Sequence, residues 1–126
     1  MKPKVLYIED NPNNMVLVQR ILTAQGYEFL GAANGFDGLD MAKTLQPQLI
    51  LLDVNLPDID GYEVARRLRE NAEGQYPHVP IIAVTANVLS GDAKKALNAG
   101  CDEYLAKPIN ISELRARVKR HLPLTD

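Results

Sequence analysis

Three short apolar runs, each cut off by a polar residue, constrain this chain more than any other feature. Val5-Leu6-Tyr7-Ile8 stops at Glu9-Asp10, Leu49-Ile50-Leu51-Leu52 stops at Asp53, and Pro80-Ile81-Ile82-Ala83-Val84 stops at Thr85. Apolar runs without in/out alternation suit parallel strands covered on both faces. Two weaker strands complete the set: residues 27–32, whose mixed pattern reads as an edge, and residues 102–105.

Helical patterns fill the gaps. Asn11 and Pro12 open the first, as cap and first-turn proline, and Gly26 stands where a glycine ends it. Its Leu17, Val18, Ile21 and Leu22 share one face. Further helices are predicted over 36–45, 62–70 and 90–99, and a last one opens at Asn110 with Ile111, Leu114, Val118 and Leu122 in register. Strand and helix thus alternate five times. That order predicts an α/β three-layer sandwich, a parallel five-stranded sheet with right-handed crossovers and helices on both faces.

With 126 residues and 46% hydrophobic content, the chain is expected to form one domain over 1–126. Fourteen basic against sixteen acidic residues give a net charge of −2, without the basic excess that nucleic-acid binding needs. Cys101 is the single cysteine, and the start Met1-Lys2-Pro3-Lys4 carries no signal-peptide pattern, so a reducing cytoplasm is expected. No apolar stretch approaches the ~18 residues of a membrane-spanning helix. No membrane role is expected.

Glu9, Asp10, Asp53, Thr85 and Lys107 each follow directly on a predicted strand. Singly, an acid there is usually a helix cap or a solvated loop residue, and a lone Thr or Lys is blander still. Together they say more. In an open parallel sheet the carboxyl ends of the strands share one edge, with a crevice where the strand order reverses. Converging carboxylates repel, which a cation relieves, and hard oxygen donors suit Mg²⁺.

Glu9-Asp10-Asn11, Leu52-Asp53-Val54-Asn55-Leu56-Pro57 with Gly61, Val84-Thr85-Ala86, and Tyr104-Leu105-Ala106-Lys107-Pro108 together resemble the signature of response regulator receiver domains of two-component signalling. The likeness covers essentially the whole chain and is nearest to single-domain chemotaxis and cell-cycle regulators. It implies a flavodoxin-like (βα)5 fold with strand order 2-1-3-4-5. It also implies that Asp53 accepts a phosphoryl group from a histidine kinase or histidine phosphotransfer protein. Asp10, Asp53 and the Asn55 carbonyl would then ligate Mg²⁺, with Glu9 acting mostly through water, and Lys107 and Thr85 would assist the transfer. Thr85 and Tyr104 would form the switch toward a downstream protein target, Asn55 and Asn87 would tune hydrolysis, and the Lys107–Pro108 bond would be cis. A monomer without an output domain is the expected form.

Other features carry less. Met15-Val16-Leu17-Val18 are too many consecutive apolar residues for one helix face to bury, so an exposed flank is expected there, a candidate kinase-docking patch. Arg115, Arg117, Lys119 and Arg120 make the last helix basic, which is more simply a solvated face than a site for an acidic partner. His78 and His121 lack ligand-spaced companions for zinc, and Cys101 suits packing. Gly35 and Gly38 form no dinucleotide fingerprint. A flavin carrier of the same architecture would need a hydroxyl-rich phosphate loop where Glu9-Asp10-Asn11 stand. An aspartyl-nucleophile phosphatase would carry a second acid where Asn55 stands.

Overall fold

The computed structural model describes residues 2–70, 79–86 and 91–124. Its elements run β1 (Lys4–Ile8), α1 (Pro12–Gln25), β2 (Glu28–Ala32), α2 (Gly35–Leu45), β3 (Leu49–Asp53), α3 (Gly61–Glu70), β4 (Ile81–Thr85), α4 (Asp92–Asn98), β5 (Glu103–Ala106) and α5 (Ile111–His121). All neighbouring strands pair in parallel, in the order β2-β1-β3-β4-β5. The alternation of apolar run and helical period has therefore produced the parallel α/β sandwich it predicts, in the flavodoxin-like strand order that the resemblance implies.

The sheet divides the core into two layers. Leu6, Ile8, Ile50, Leu52, Ile81 and Ala83 face α2, α3 and α4, against Ala42, Val64, Leu68 and Ala96. Their alternates Val5, Tyr7, Leu49, Leu51, Ile82 and Val84 face α1 and α5, against Val18, Ile21, Leu22, Leu114 and Val118. Because β1, β3 and β4 are covered on both sides, nearly every one of their side chains is buried, which is why the runs show no alternation. At about 1.5–3 kcal/mol for each large apolar side chain taken fully out of water, these three strands and the helix faces packed on them share the driving force.

Helix ends follow local chemistry. Asn11 Oδ1 accepts from the N–H groups of Asn13 (2.9 Å) and Asn14 (3.1 Å), and Asn110 Oδ1 accepts from Glu113 N–H (2.9 Å). At the end of α1, Gly26 takes φ 103°, its N–H donates to Thr23 O (3.1 Å) and Tyr27 N–H donates to Leu22 O (3.0 Å). This is a Schellman cap, and it uses the Tyr27 backbone. The β2 strand accordingly begins at Glu28, one residue later than its side-chain pattern suggests. Likewise β5 runs Glu103–Ala106, displaced by one residue from the expected 102–105, because Asp102 joins the turn: its carboxylate accepts from Ile81 N–H (2.8 Å) and from Arg69 Nη2 (2.7 Å). In α1, Val18 is buried, Met15 and Leu17 are half-buried and Val16 is 44% exposed, so the apolar quartet does leave a flank outside. The expected start of the fourth helix at Ser90, together with Asn87 and His78, lies outside the described residues. Among the described residues, no helix is long and apolar enough to cross a membrane.

Gly61, the first residue of α3, is where helix and strand end approach most closely. A Cβ there would stand 2.5 Å from Val54 Cα and 2.6 Å from Asp53 O, both backbone atoms, while the Gly61 N–H donates to Val54 O (3.2 Å). Backbone cannot step aside as a side chain can. Gly61→Ala is therefore expected to destabilise the protein by about 1–3 kcal/mol through overpacking, seen as a lower urea midpoint at unchanged slope. A wild-type midpoint would show that the loop yields freely.

Candidate functional site

Strand order reverses at β1, which has β2 on one side and β3 on the other. The register pairs Ile8 with Leu52, so Glu9 and Asp53 follow side by side at the carboxyl edge, and Asp10 extends from the same turn. One ligand atom from each of Glu9, Asp10 and Asp53 lies within 4.8 Å of the others. Glu9 and Asp53 are each only 1% exposed, whereas Asp10 is exposed. Lys107, just past β5, reaches over them: its Nζ lies 3.1 Å from Glu9 Oε1 and 3.2 Å from Asp53 Oδ1. The Lys107–Pro108 peptide bond is cis.

Thr85 ends β4, is fully buried, and accepts through its carbonyl from Lys107 N–H (2.9 Å), which ties the two edge residues together. The Asn55 N–H donates to Asp53 Oδ1 (3.2 Å). Asp10, Val54 and residues 55–60 line an open cleft of ≈ 460 Å³ beside the acids. Tyr104 stands apart, opposite Ala83 on β5 and 39% exposed. His121 and Arg120 both pair with Glu103, and so does Arg117 Nη1 (3.0 Å). Those two arginines of α5 are thus partly neutralised within the chain.

Three contributors escaped the sequence reading: Tyr7, Asp58 and Asn14, whose Nδ2 donates to Glu9 Oε1 (3.0 Å). Tyr7 OH donates to Glu9 Oε1 (3.0 Å); the one available signal was a phenol inside an otherwise aliphatic run. Asp58 accepts from Gly35 N–H (2.8 Å) and Phe36 N–H (2.9 Å), so the loop after β3 caps α2, a long-range pairing with no local signature.

Burial, then the hydrogen bond and charge of Glu9, push the Asp53 carboxyl up to about 7, against the pull of the Asn55 N–H and Lys107. Burial also works to raise Glu9, but hydrogen bonds from Asp53, Lys107 and Asn14 outweigh it and hold Glu9 down to about 2. Tyr7 is raised by its own burial and by the two acids. Lys107 is raised because the acids outweigh its desolvation. Burial pushes the Cys101 thiol up to about 11, as befits an inert packing residue. The two buried acids are thus driven apart, Asp53 toward the protonated and Glu9 toward the ionised form. The cluster's all-oxygen donor set, part buried and part open, fits a hard divalent ion that keeps several waters.

A doubly wound parallel sheet with acids gathered at its switch point and a lysine across from them places the candidate site in the crevice where α/β domains of this topology bind their ligands. The family model of the response regulator receiver domain matches residues 5–119, and this chain belongs to that family. It is similar to the polar-differentiation response regulator DivK of Brucella anthropi, 38% identical over 122 residues, or 97% of this chain and 98% of that protein. It is also similar to the receiver domain of sensor histidine kinase PA1611 from Pseudomonas aeruginosa, solved with a magnesium ion coordinated in its active site cleft. That structure is 38% identical, with a TM-score of 0.86, over 95% of this chain and 97% of the other. The chemotaxis response regulator CheY4 of Vibrio cholerae is 29% identical, with a TM-score of 0.88, over 97% of this chain and 100% of its own.

The Asp53 shift has a definite consequence for stability. A carboxyl raised on folding contributes stability that is complete below its unfolded value near 4 and is lost as pH rises through about 7. Glu9, lowered, contributes in the opposite sense, complete above its unfolded value and lost toward about pH 2. Between pH 5 and 8, with divalent ions removed, the thermal midpoint is expected to fall with rising pH. Asp53→Asn is expected to flatten that slope and raise the midpoint at about pH 8, since it removes a buried charge. Parallel pH profiles of the two proteins by calorimetry check this; equal slopes would refute it.

Proposed function

We propose that this chain is a phosphoryl-accepting switch: Asp53 takes a phosphoryl group from a phosphohistidine of a sensor kinase or histidine phosphotransfer protein. The observation that carries the proposal is the convergence of Glu9, Asp10 and Asp53 within 4.8 Å, with Lys107 Nζ 3.2 Å from Asp53. An Asp53 oxygen forms the new P–O bond as the P–N bond to the donor imidazole breaks. The carboxylate is its own nucleophile once its proton is displaced, so no general base is needed. Asp10, Asp53 and the Asn55 carbonyl would hold Mg²⁺, with Glu9 acting through water. Bound there, Mg²⁺ supplies charge neutralisation on the transferring oxygens. Lys107 supplies the complementary positive charge from the far side, already in place and partly shielded from solvent. Ala86, exposed and small, leaves the approach open to water, which fits slow self-catalysed dephosphorylation.

The readout is a change in protein binding. Thr85 donates its hydroxyl to the new phosphoryl oxygens, and Tyr104, half outside in this state, turns inward to fill the space released. The phosphoryl group shifts this equilibrium only by its differential contacts with the two packings. The working unit in this reading is a single receiver domain over 1–126, cytoplasmic and monomeric, acting on a downstream protein target. The flavin alternative finds no support in a crevice lined with carboxylates, which would repel a cofactor phosphate.

Incubation with Mg²⁺ and a small acyl phosphate is expected to add one phosphoryl group by intact mass, and Asp53→Asn is expected to add none. An equal gain in both proteins would reject Asp53 as the acceptor. Lys107→Ala is expected to keep Mg²⁺ binding yet to uncouple phosphorylation from the Tyr104 face, followed through the tyrosine side-chain NMR signals. It is also expected to lose about 3 kcal/mol of metal-free stability, having stranded the buried Glu9 carboxylate. Loss of metal binding would show that Lys107 does other work.

A further inference from the structure

The geometry points to Tyr7 as a positioning residue for the metal site: we infer that its phenol fixes Glu9 as an oriented anion that reaches the cation only through water. This rests on the Mg²⁺ site proposed above. Glu9 Oε1 accepts from Tyr7 OH (3.0 Å), Asn14 Nδ2 (3.0 Å) and Lys107 Nζ (3.1 Å). Glu9 Oε2 accepts from the N–H groups of Asp10 (3.0 Å) and Asn11 (3.4 Å). A carboxylate presents about four lone-pair sites, so five donors leave none for direct ligation. Asp10 and Asp53 are then the acids able to coordinate, while Glu9 contributes field and aims Lys107.

Packing does not call for the hydroxyl. The Tyr7 ring is fully buried among Val5, Val18 and Leu51 beneath α1 and α5, where Phe would fit as well. A buried phenol is unfavourable unless bonded, and the bond it makes goes to the acid two residues on. Tyr7 and Asn14 approach that oxygen from β1 and from the first turn of α1, so two separate elements lock one rotamer. Released from them, Glu9 would have to be ordered each time the cation binds.

The test is a titration of the full chain with MgCl₂ by calorimetry and by near-ultraviolet tyrosine difference absorption, which no tryptophan obscures because the chain has none. Wild type is expected to show a magnesium-dependent tyrosine band. Tyr7→Phe is expected to lose that band and to bind about three- to tenfold more weakly, the entropic cost of ordering one side chain. Asn14→Ala is expected to weaken binding by a similar factor and to keep the band, and it decides the matter if Tyr7→Phe does not fold. Wild-type affinity in a folded Tyr7→Phe, or tighter binding in either variant, would overturn the role of Tyr7. Absence of Mg²⁺ binding by the wild type would overturn the metal reading itself.

Discussion

Two buried carboxylates share one ammonium at the carboxyl edge of the sheet, and much of the surrounding structure serves to make that arrangement tolerable. Glu9 and Asp53 end neighbouring strands, so the pairing of β1 with β3 fixes their separation without any loop having to fold around them. Lys107 comes from beyond β4, across the crevice, and its stem has to be carried by β5 and the turn at Pro108. Burying an ion pair gains little by itself, since desolvation offsets most of the Coulomb energy. What the pair provides is a fixed field at a point that solvent reaches from one side only.

The framework around that point is stiffened by contacts between elements distant in sequence. Gly61 lets α3 start against the backbone of Val54, which holds the loop carrying Asn55 close to the acids. Asp58 in the same loop caps α2, and Arg69 ties α3 to Gly100 O (2.8 Å), Val79 O (2.6 Å) and Asp102, at the opposite edge of the sheet from the acids. Backbone groups at both edges are thereby bonded by side chains from distant elements.

Much of this was legible in the sequence because the periodicities are strong. Unbroken apolar runs announce β1, β3 and β4, and Asn11, Gly26 and Asn110 mark helix ends by chemistry that acts within a few residues. The gathering of Glu9, Asp10, Asp53 and Lys107 was legible as well, since position after a strand in a parallel sheet is already a spatial coordinate. The Tyr27 shift was not, because a Schellman cap claims a backbone group that side-chain pattern does not show. Asp58 escaped because its partners lie 22 and 23 residues away. Tyr7 escaped for a different reason: it satisfies the apolar pattern with its ring, and only the third dimension shows where its hydroxyl goes.

Charge counting within the site explains why a proton and a divalent ion are alternatives there, with Lys107 beside either one. Three ionised carboxylates against one ammonium leave two negative charges in a region half closed to water. Glu9 is held ionised by its donors, so the imbalance falls on Asp53, which keeps a proton to about pH 7. A divalent cation cancels the same two charges, and the proton is then surplus. In the proposed function, cation binding would therefore favour the ionised form of Asp53. On the inference drawn for Tyr7, the five donors around Glu9 would leave it no free lone pair for the cation. Asp10 and Asp53 would then hold the cation beside the open cleft lined by residues 54–60, where it would supply positive charge to a phosphoryl group.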